Sequence, residues 1–177
     1  MSLETINYAA SLGTLLLQIV TLAVFAAFVL RKKVPACAEI VRQIGKNGLF
    51  IGFVLSFGAS AVTLYYSEVL GLEPCWLCWF QRIFLYPQVV LFAVALWKRD
   101  FSIDIYSIAL SLIGLAIAVY HHALQIAPMG ALPCPAVGVS CAQRSVFEFG
   151  YITFPLMAVT IFACLLVVMM IVRKRSQ

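Results

Sequence analysis

Five long apolar stretches dominate the sequence and restrict the chain to very few folds. They cover roughly residues 12–30, 48–70, 80–97, 103–127 and 150–172. A bilayer core of about 30 Å requires roughly 20 apolar residues in a helix, so each stretch is long enough to cross it. The stretches also lack the two-residue alternation of apolar and polar side chains that is typical of membrane barrels. We therefore predict an all-α membrane protein with five transmembrane helices.

The composition supports this fold class. Hydrophobic residues make up 64% of the 177 residues and charged residues only 11%, and the mean hydropathy is +1.04. A soluble domain is roughly half apolar and about a quarter charged. After the five stretches are assigned, too few residues remain for a soluble domain of useful size.

The basic residues predict how the chain is oriented. All but two of the 12 lysine and arginine residues follow the first, third or fifth stretch: Arg31, Lys32, Lys33, Arg42, Lys46, Lys98, Arg99, Arg173, Lys174 and Arg175. Loops rich in Lys and Arg remain in the cytoplasm. We therefore expect the N-terminus to lie outside and the C-terminus in the cytoplasm. The net charge of +5 then reflects topology, and we predict no nucleic-acid partner.

Six cysteines are divided between compartments by this topology. Four of them lie outside in two close pairs, Cys75 with Cys78 and Cys134 with Cys141. Disulfides form and persist outside the cytoplasm, so we interpret both pairs as disulfides, either redox-active or purely structural. Zinc is a weaker alternative because six residues between Cys134 and Cys141 is not a usual ligand spacing, and we expect no metal. The remaining cysteines, Cys37 and Cys164, are expected to be unreactive.

The segment "PCWLCWFQR" favours a reactive first pair. Pro74 is suited to a first helical turn, which would place Cys78 close to a helix N-terminus, where a negative charge is stabilised. Arg82 follows Cys78 by four residues and lies on the same helix face, so its guanidinium can stabilise a Cys78 thiolate. A structural disulfide requires neither feature. The alternative for Arg82 is a lipid anchor whose charge reaches the headgroups.

The second cysteine pair lies in a loop rich in proline and glycine. A disulfide between Cys134 and Cys141 would be open there to attack by a thiolate from another protein, although it could also simply close the loop. Just before this loop, His121 and His122 end the fourth apolar stretch. Adjacent residues on a helix point in different directions, so one histidine can face the bundle while the other faces headgroups. His121 should lie at the outer interface, at the level of Cys78. The alternative role for either histidine is that of an interfacial polar anchor.

Three motifs in this order resemble the DsbB family of membrane disulfide oxidoreductases. "PCWLCWFQR" resembles its Cys-x-Leu-Cys-x-x-Gln-Arg signature, "HHALQ" its His-x3-Gln, and "CAQRSVFEFGYITFP" the exit of its second loop. The likeness extends from about residue 46 to 172. In the vitamin K epoxide reductase family the loop cysteines precede the Cys-x-x-Cys motif, so that family fits less well.

The resemblance implies a four-helix bundle in the bacterial cytoplasmic membrane, with quinone (ubiquinone or menaquinone) as the electron acceptor. The electron donor would be an extracytoplasmic thioredoxin-like protein of the DsbA type. By the motif match, Cys134 would be attacked by this partner, and Cys141 would then attack Cys75. Cys78 would contact the quinone beside Arg82, with His121 close to the ring carbonyls.

Two features depart from the family pattern. The short second loop is similar to the BdbC branch, so the resemblance leaves open whether the exchange between Cys141 and Cys75 follows the route of long-loop members. An additional helix precedes the bundle, giving an expected division into residues 1–46 and 47–177, and this helix could pack on the bundle or anchor a dimer. Two other functions stay open: an adaptor whose disulfides only brace its loops, and a reductase that would need a cytoplasmic electron entry site.

Overall fold

The computed structural model describes residues 3–127 and 140–176, and these ranges are almost entirely helical. The helices are α1 (Leu3–Leu30), α2 (Pro35–Leu64), which continues into a π-helical turn (Tyr65–Val69), α3 (Trp76–Lys98), α4 (Asp104–Ile126) and α5 (Phe154–Ser176). All five α-helices are long and apolar enough to cross a membrane. The predicted all-α membrane class is confirmed.

Four of the helices form a closed bundle. α2 contacts α3, α3 contacts α4, α4 contacts α5, and α5 returns to α2. The N-terminal helix α1 packs outside this ring against α2 and α5. As a result α5 is the most enclosed of the five helices. In an 18-residue apolar segment of each helix, 61% of the residues of α5 are buried inside the protein, compared with 17% of those of α1. The predicted arrangement of a four-helix bundle with one additional helix is confirmed.

Glycines allow the bundle helices to approach each other closely. A Cβ atom at Gly52 of α2 would collide with the ring of Phe92 on α3, and one at Gly114 of α4 would collide with the ring of Phe162 on α5. Both phenylalanine side chains are almost completely buried. Small residues at such contacts favour helix association in membranes, where apolar burial alone provides little driving force.

The additional helix α1 presents a polar stripe to the bundle. Its buried positions include Asn7, Ser11, Thr14 and Thr21, which recur along one face, whereas its large apolar side chains are mostly exposed to the surroundings. The stripe forms hydrogen bonds across helix boundaries, including one from the Tyr66 hydroxyl to Asn7 Oδ1 (2.9 Å). Of the two arrangements expected for this helix, the structure therefore shows packing on the bundle. The expected division after residue 46 falls inside α2.

Candidate active site

The Cys75–Cys78 pair lies at the start of α3, as the sequence predicted. Cys75 is the N-cap residue in an extended conformation (φ −68°, ψ 170°), and its carbonyl accepts the backbone N–H of Trp79 (3.1 Å). Cys78 is therefore in the first helical turn. The two Sγ atoms are 3.1 Å apart, and the Cys75 thiol donates to Cys78 Sγ. Two sulfurs so close to each other can interconvert between a dithiol and a disulfide with little backbone movement.

The pKa of Cys75 is raised to about 12. The main cause is the hydrogen bond to Cys78, in which Cys75 provides the proton, and burial of the thiol adds to it. A hydrogen bond from the nearby His121 acts in the opposite direction but is outweighed. In the dithiol form Cys75 therefore holds its proton at neutral pH.

Cys141 brings the second cysteine loop into contact with this pair. The Sγ atoms of Cys75 and Cys141 and a ring nitrogen of His121 all lie within 4.8 Å of one another, and all three residues are buried. Cys134, the other loop cysteine expected to react, lies outside the described residues. The structure thus places a cysteine from each loop side by side. Two thiol sulfurs and an imidazole nitrogen at this spacing are also the types of ligand atom that bind Zn²⁺.

His121 is held in a defined orientation between these thiols. Its Nε2 lies 3.1 Å from the backbone carbonyl oxygen of Cys141, which can only accept a hydrogen bond, so Nε2 carries the proton. Its Nδ1 then accepts from the Gln81 side-chain amide (3.0 Å). In this tautomer the Nε2 proton is also directed toward Cys75 Sγ, 3.6 Å away. The adjacent His122 points elsewhere, to the hydroxyl of the buried Thr153, so the two histidines diverge, whereas the expected contact of one of them with headgroups stays a prediction.

Gln125 fastens the second loop to the end of α4. Its side-chain amide donates to the carbonyl oxygens of Cys141 (3.3 Å) and Gln143 (2.9 Å), and Arg144 Nε donates back to the Gln125 carbonyl oxygen (2.6 Å). These contacts hold Cys141 against the helices. No role was predicted from the sequence for Gln81 or Gln125. The spacing offered a signal for Gln125, because it follows His121 by four residues and therefore shares its helix face.

A cavity of about 370 Å³ lies beside Cys78. Its lining is predominantly apolar and includes Cys78, Gln81 and Arg82 from α3, together with residues of α1, α2 and α5. The buried Arg82 donates to the Thr63 carbonyl oxygen (2.9 Å), and its guanidinium carbon is 5.3 Å from the centre of the Trp79 ring. Cys78 and Arg82 thus share one face, as predicted. Within the described ranges, His121 is not among the residues that line this cavity.

The remaining cysteines lie apart from this group. Cys37 is half-buried in α2, and Cys164 is buried in α5, where its thiol has Thr21 of α1 as a hydrogen-bond partner. Neither belongs to the cluster around His121 or to the lining of the cavity. Their expected lack of reactivity stays a prediction.

The fold and this group of thiols define a class of protein: a multi-pass helical membrane protein with a buried thiol centre at one end of its bundle. Comparison with known proteins identifies the family. A profile described as "Disulfide bond formation protein DsbB" matches residues 45–172, and the chain belongs to the DsbB family of protein-disulfide oxidoreductases. Its general role is in disulfide bond formation.

Individual relatives agree with this assignment. The chain is 41% identical over 118 residues to the "SPbeta prophage-derived disulfide bond formation protein B" of Bacillus subtilis (strain 168), covering 67% of this chain and 80% of that protein. It is 39% identical over 129 residues to the "Probable disulfide formation protein C 1" of Bacillus cereus, covering 72% and 93%. A "Probable disulfide formation protein" of Chlamydia trachomatis is 37% identical over 131 residues, covering 72% and 96%. No solved structure matched.

Proposed function

We propose that this protein is a quinone-dependent thiol oxidase that reoxidises a thioredoxin-like, DsbA-type partner outside the cytoplasm. The observation that carries the proposal is the position of Cys75, which touches Cys78 on one side and has Cys141 Sγ within 4.8 Å on the other. This arrangement connects the loop that would meet the partner to the pair beside the cavity.

The electrons would pass inward through a series of thiol–disulfide exchanges. A partner thiolate attacks Cys134, the Cys134–Cys141 bond breaks, and Cys141 leaves as a thiolate while a mixed disulfide forms with the partner. Cys141 then attacks Cys75, so the Cys75–Cys78 bond breaks and Cys78 leaves with the electron pair. The partner's second thiolate attacks its own sulfur in the mixed disulfide, which releases the oxidised partner and Cys134. Each step forms one S–S bond and breaks one, so two electrons move inward.

Completion of the cycle returns the second loop to its disulfide. Cys134 attacks Cys141, which restores the Cys134–Cys141 bond and releases Cys75. Cys75 leaves as a thiolate and takes up a proton, in agreement with its raised pKa. His121 supports both exchanges, because its Nε2 proton is directed at Cys75 Sγ and at the Cys141 backbone, which holds the attacking residue in place. We therefore assign His121 to the thiol side of the reaction.

The residues beside Cys78 fit a quinone. The cavity offers a largely apolar space of about 370 Å³ that is lined by the buried guanidinium of Arg82 and the Cys78 thiol, with the Glu73 carboxylate also in its lining. Such a site can enclose an apolar ring and present one cation to its carbonyl oxygen. A bound quinone would supply the oxidising capacity by accepting two electrons and two protons. Arg82 and Cys78 would hold it, and the expected contact between His121 and the ring stays a prediction.

We place the protein in the bacterial cytoplasmic membrane with the thiol centre outside. Arg82 and Arg144 are the basic residues at the thiol end, and the other basic residues lie in the last turn of a helix or just beyond it at the opposite end, or in the cytoplasmic half of α2. This asymmetry supports an external N-terminus and a cytoplasmic C-terminus.

Turnover with purified components tests the proposal. The protein in detergent is mixed with a reduced thioredoxin-like protein of the DsbA type and a short-chain quinone, and partner thiols and quinone absorbance are followed together. We expect one quinone to be reduced per disulfide formed, and Cys141→Ser to abolish turnover while Cys164→Ser retains it. An adaptor with structural disulfides would reduce no quinone. Thiol loss without quinone reduction would reject quinone as the acceptor.

A further inference from the structure

We propose that the additional helix α1 forms one wall of the quinone cavity, and that the absence of a side chain at Gly13 sets the width of the ring that the cavity accepts. This inference rests on the proposed function, because it assigns the occupant of the same cavity. It concerns a part of the chain outside the segment that matches the DsbB profile, which begins at residue 45.

The position of α1 provides the first argument. It packs against α2 and α5, and four of its residues line the cavity that also contains Cys78 and Arg82: Ala10, Gly13, Thr14 and Leu17. Residues spaced three and four apart lie on one helix face, so these four form a continuous strip. Without α1 this side of the cavity would be open to lipid.

Polar contacts fix α1 in this place. Asn7 Oδ1 accepts a hydrogen bond from the Tyr66 hydroxyl of the π-helical turn that follows α2 (2.9 Å), and Gln18 donates to the Thr160 hydroxyl of α5 (3.1 Å). The Tyr151 hydroxyl donates to the Gln18 side-chain oxygen (3.1 Å). Polar side chains on a membrane helix favour faces where they find such partners. The strip that lines the cavity lies between these contacts, so its distance from Arg82 is set by the fold.

The size of the residues on the strip provides the second argument. Gly13 is exposed, and a Cβ atom there would meet no atom within 4 Å, so the backbone at this position borders free space and not a neighbouring helix. Since Gly13 lines the cavity, that space includes the volume a quinone would use. A naphthoquinone has a fused second ring and needs more of this width than a benzoquinone does. The absence of a side chain at Gly13 therefore favours the wider ring.

The chain contains a matched control glycine. Gly58 lies in α2, and a Cβ atom there would also meet nothing within 4 Å, but Gly58 does not line the cavity. A Cβ atom at either position meets no neighbour, and leucine adds the same side chain at both. The two variants differ only in whether the added side chain faces the cavity.

Equilibrium binding tests the inference. Quinone-depleted protein with its cysteine pairs oxidised is titrated in detergent with a naphthoquinone (menadione) and with the benzoquinone that lacks only the fused ring (2-methyl-1,4-benzoquinone), and quenching of tryptophan fluorescence reports the Kd. For Gly13→Leu we expect the Kd for menadione to rise about tenfold, the change that about 1.4 kcal/mol produces, and the Kd for the benzoquinone to rise less. Gly58→Leu should bind both as the wild type does, and Gly13→Val should show a smaller change in the same direction.

The outcomes separate this inference from the proposed function. If the wild type couples partner oxidation to quinone but Gly13→Leu and Gly13→Val bind both quinones normally, the wall assignment is wrong and the proposed function stands. Equal losses of quinone affinity in Gly13→Leu and Gly58→Leu would also overturn the wall assignment, since the effect would then come from a general change in helix packing. If the wild type binds and reduces no quinone, both proposals are wrong. Should Gly13→Leu fail to fold, as judged by its thiol titre, Gly13→Val decides alone.

Discussion

The Gln81 side-chain amide lies 3.0 Å from Nδ1 of His121, so one glutamine on α3 fixes the imidazole of α4 with its other nitrogen toward the thiols. Both residues are buried, and water is a poor substitute for the amide in such a position. The tautomer of His121 thus depends on a residue that touches no sulfur in the described contacts.

Replacing Gln81 with leucine should slow the exchange between Cys141 and Cys75. Without the donor to Nδ1 the imidazole can rotate or change tautomer, and a net hydrogen-bond contribution of about 0.5 to 1.5 kcal/mol corresponds to a two- to tenfold slower rate. Rapid quenching with an alkylating agent after addition of reduced partner would measure it. Gln88→Leu is the control, because Gln88 is a buried glutamine of the same helix that binds Ser107 and Ser111 instead. Equal slowing in both variants would contradict the positioning role of Gln81.

A direct disulfide between the two loops should form in a variant that retains only Cys75 and Cys141 of the four loop cysteines. In Cys78→Ser combined with Cys134→Ser, Cys75 and Cys141 keep sulfurs within 4.8 Å of each other, so a mild oxidant should link them nearly completely. Peptide mapping by mass spectrometry would detect the link. Cys75→Ser combined with Cys134→Ser is the matched control, and its Cys78–Cys141 link should form in lower yield. A higher yield in the control would mean that Cys78, rather than Cys75, receives the second loop.

Much of the bundle could be predicted from local sequence, whereas the connections around the thiols could not. Apolar length predicted the spans, and the segment around Pro74 predicted a helix that begins at the cysteine pair. The contact of Gln125 with the Cys141 carbonyl depends on how a loop folds back over α4, which no local pattern encodes. The polar stripe of α1 was present in the sequence as a near-heptad spacing of Asn7, Ser11 and Thr14, but its function became clear only when the partner helices were located.

The raised pKa of Cys75 predicts an unusual pH dependence of its alkylation in the reduced protein. Only the thiolate reacts, so with a pKa of about 12 the rate should rise about tenfold per pH unit from pH 7 to 10 without levelling. A cysteine peptide, with a pKa of about 8.5, should level off within this range. Cys78→Ala removes the hydrogen bond that is the main cause of the raised pKa, so the alkylation rate of Cys75 should level off at a lower pH in this variant. Mass spectrometry of iodoacetamide-labelled peptides would measure the alkylation rate of Cys75. If this rate levels off near pH 9 in the protein without substitutions, the raised pKa is contradicted.

The proposed orientation predicts which cysteines an impermeant reagent reaches. In intact cells, single-cysteine variants should be labelled at Cys134 by a membrane-impermeant maleimide and not at Cys37, which is half-buried near the start of α2 among the basic residues. Permeabilised cells are the control, since Cys37 should then react. Labelling of Cys37 in intact cells would reverse the topology and, with it, the compartment in which the partner is expected.

Substitution of Arg82 should weaken quinone binding more than it affects disulfide exchange. The guanidinium is buried, lines the cavity beside Cys78 and is held by the Thr63 carbonyl oxygen, so Arg82→Gln removes the cation available to a quinone carbonyl. A hydrogen bond to a charged group contributes about 1.5 to 3 kcal/mol, so the Kd should rise roughly ten- to a hundredfold. Arg82→Lys should give a smaller rise, because it keeps the charge but loses the planar fork.

Arg144 provides the matched control for this prediction, since it is the other basic residue at the thiol end and binds the Gln125 carbonyl oxygen. Arg144→Gln should slow the exchange between the loops while leaving quinone affinity unchanged, the reverse of Arg82→Gln. Quinone titration of depleted protein and quenched alkylation after addition of partner measure the two effects separately. If Arg82→Gln binds quinone as tightly as the wild type, Arg82 is a structural link to α2, and the cavity must hold its ligand without a cation.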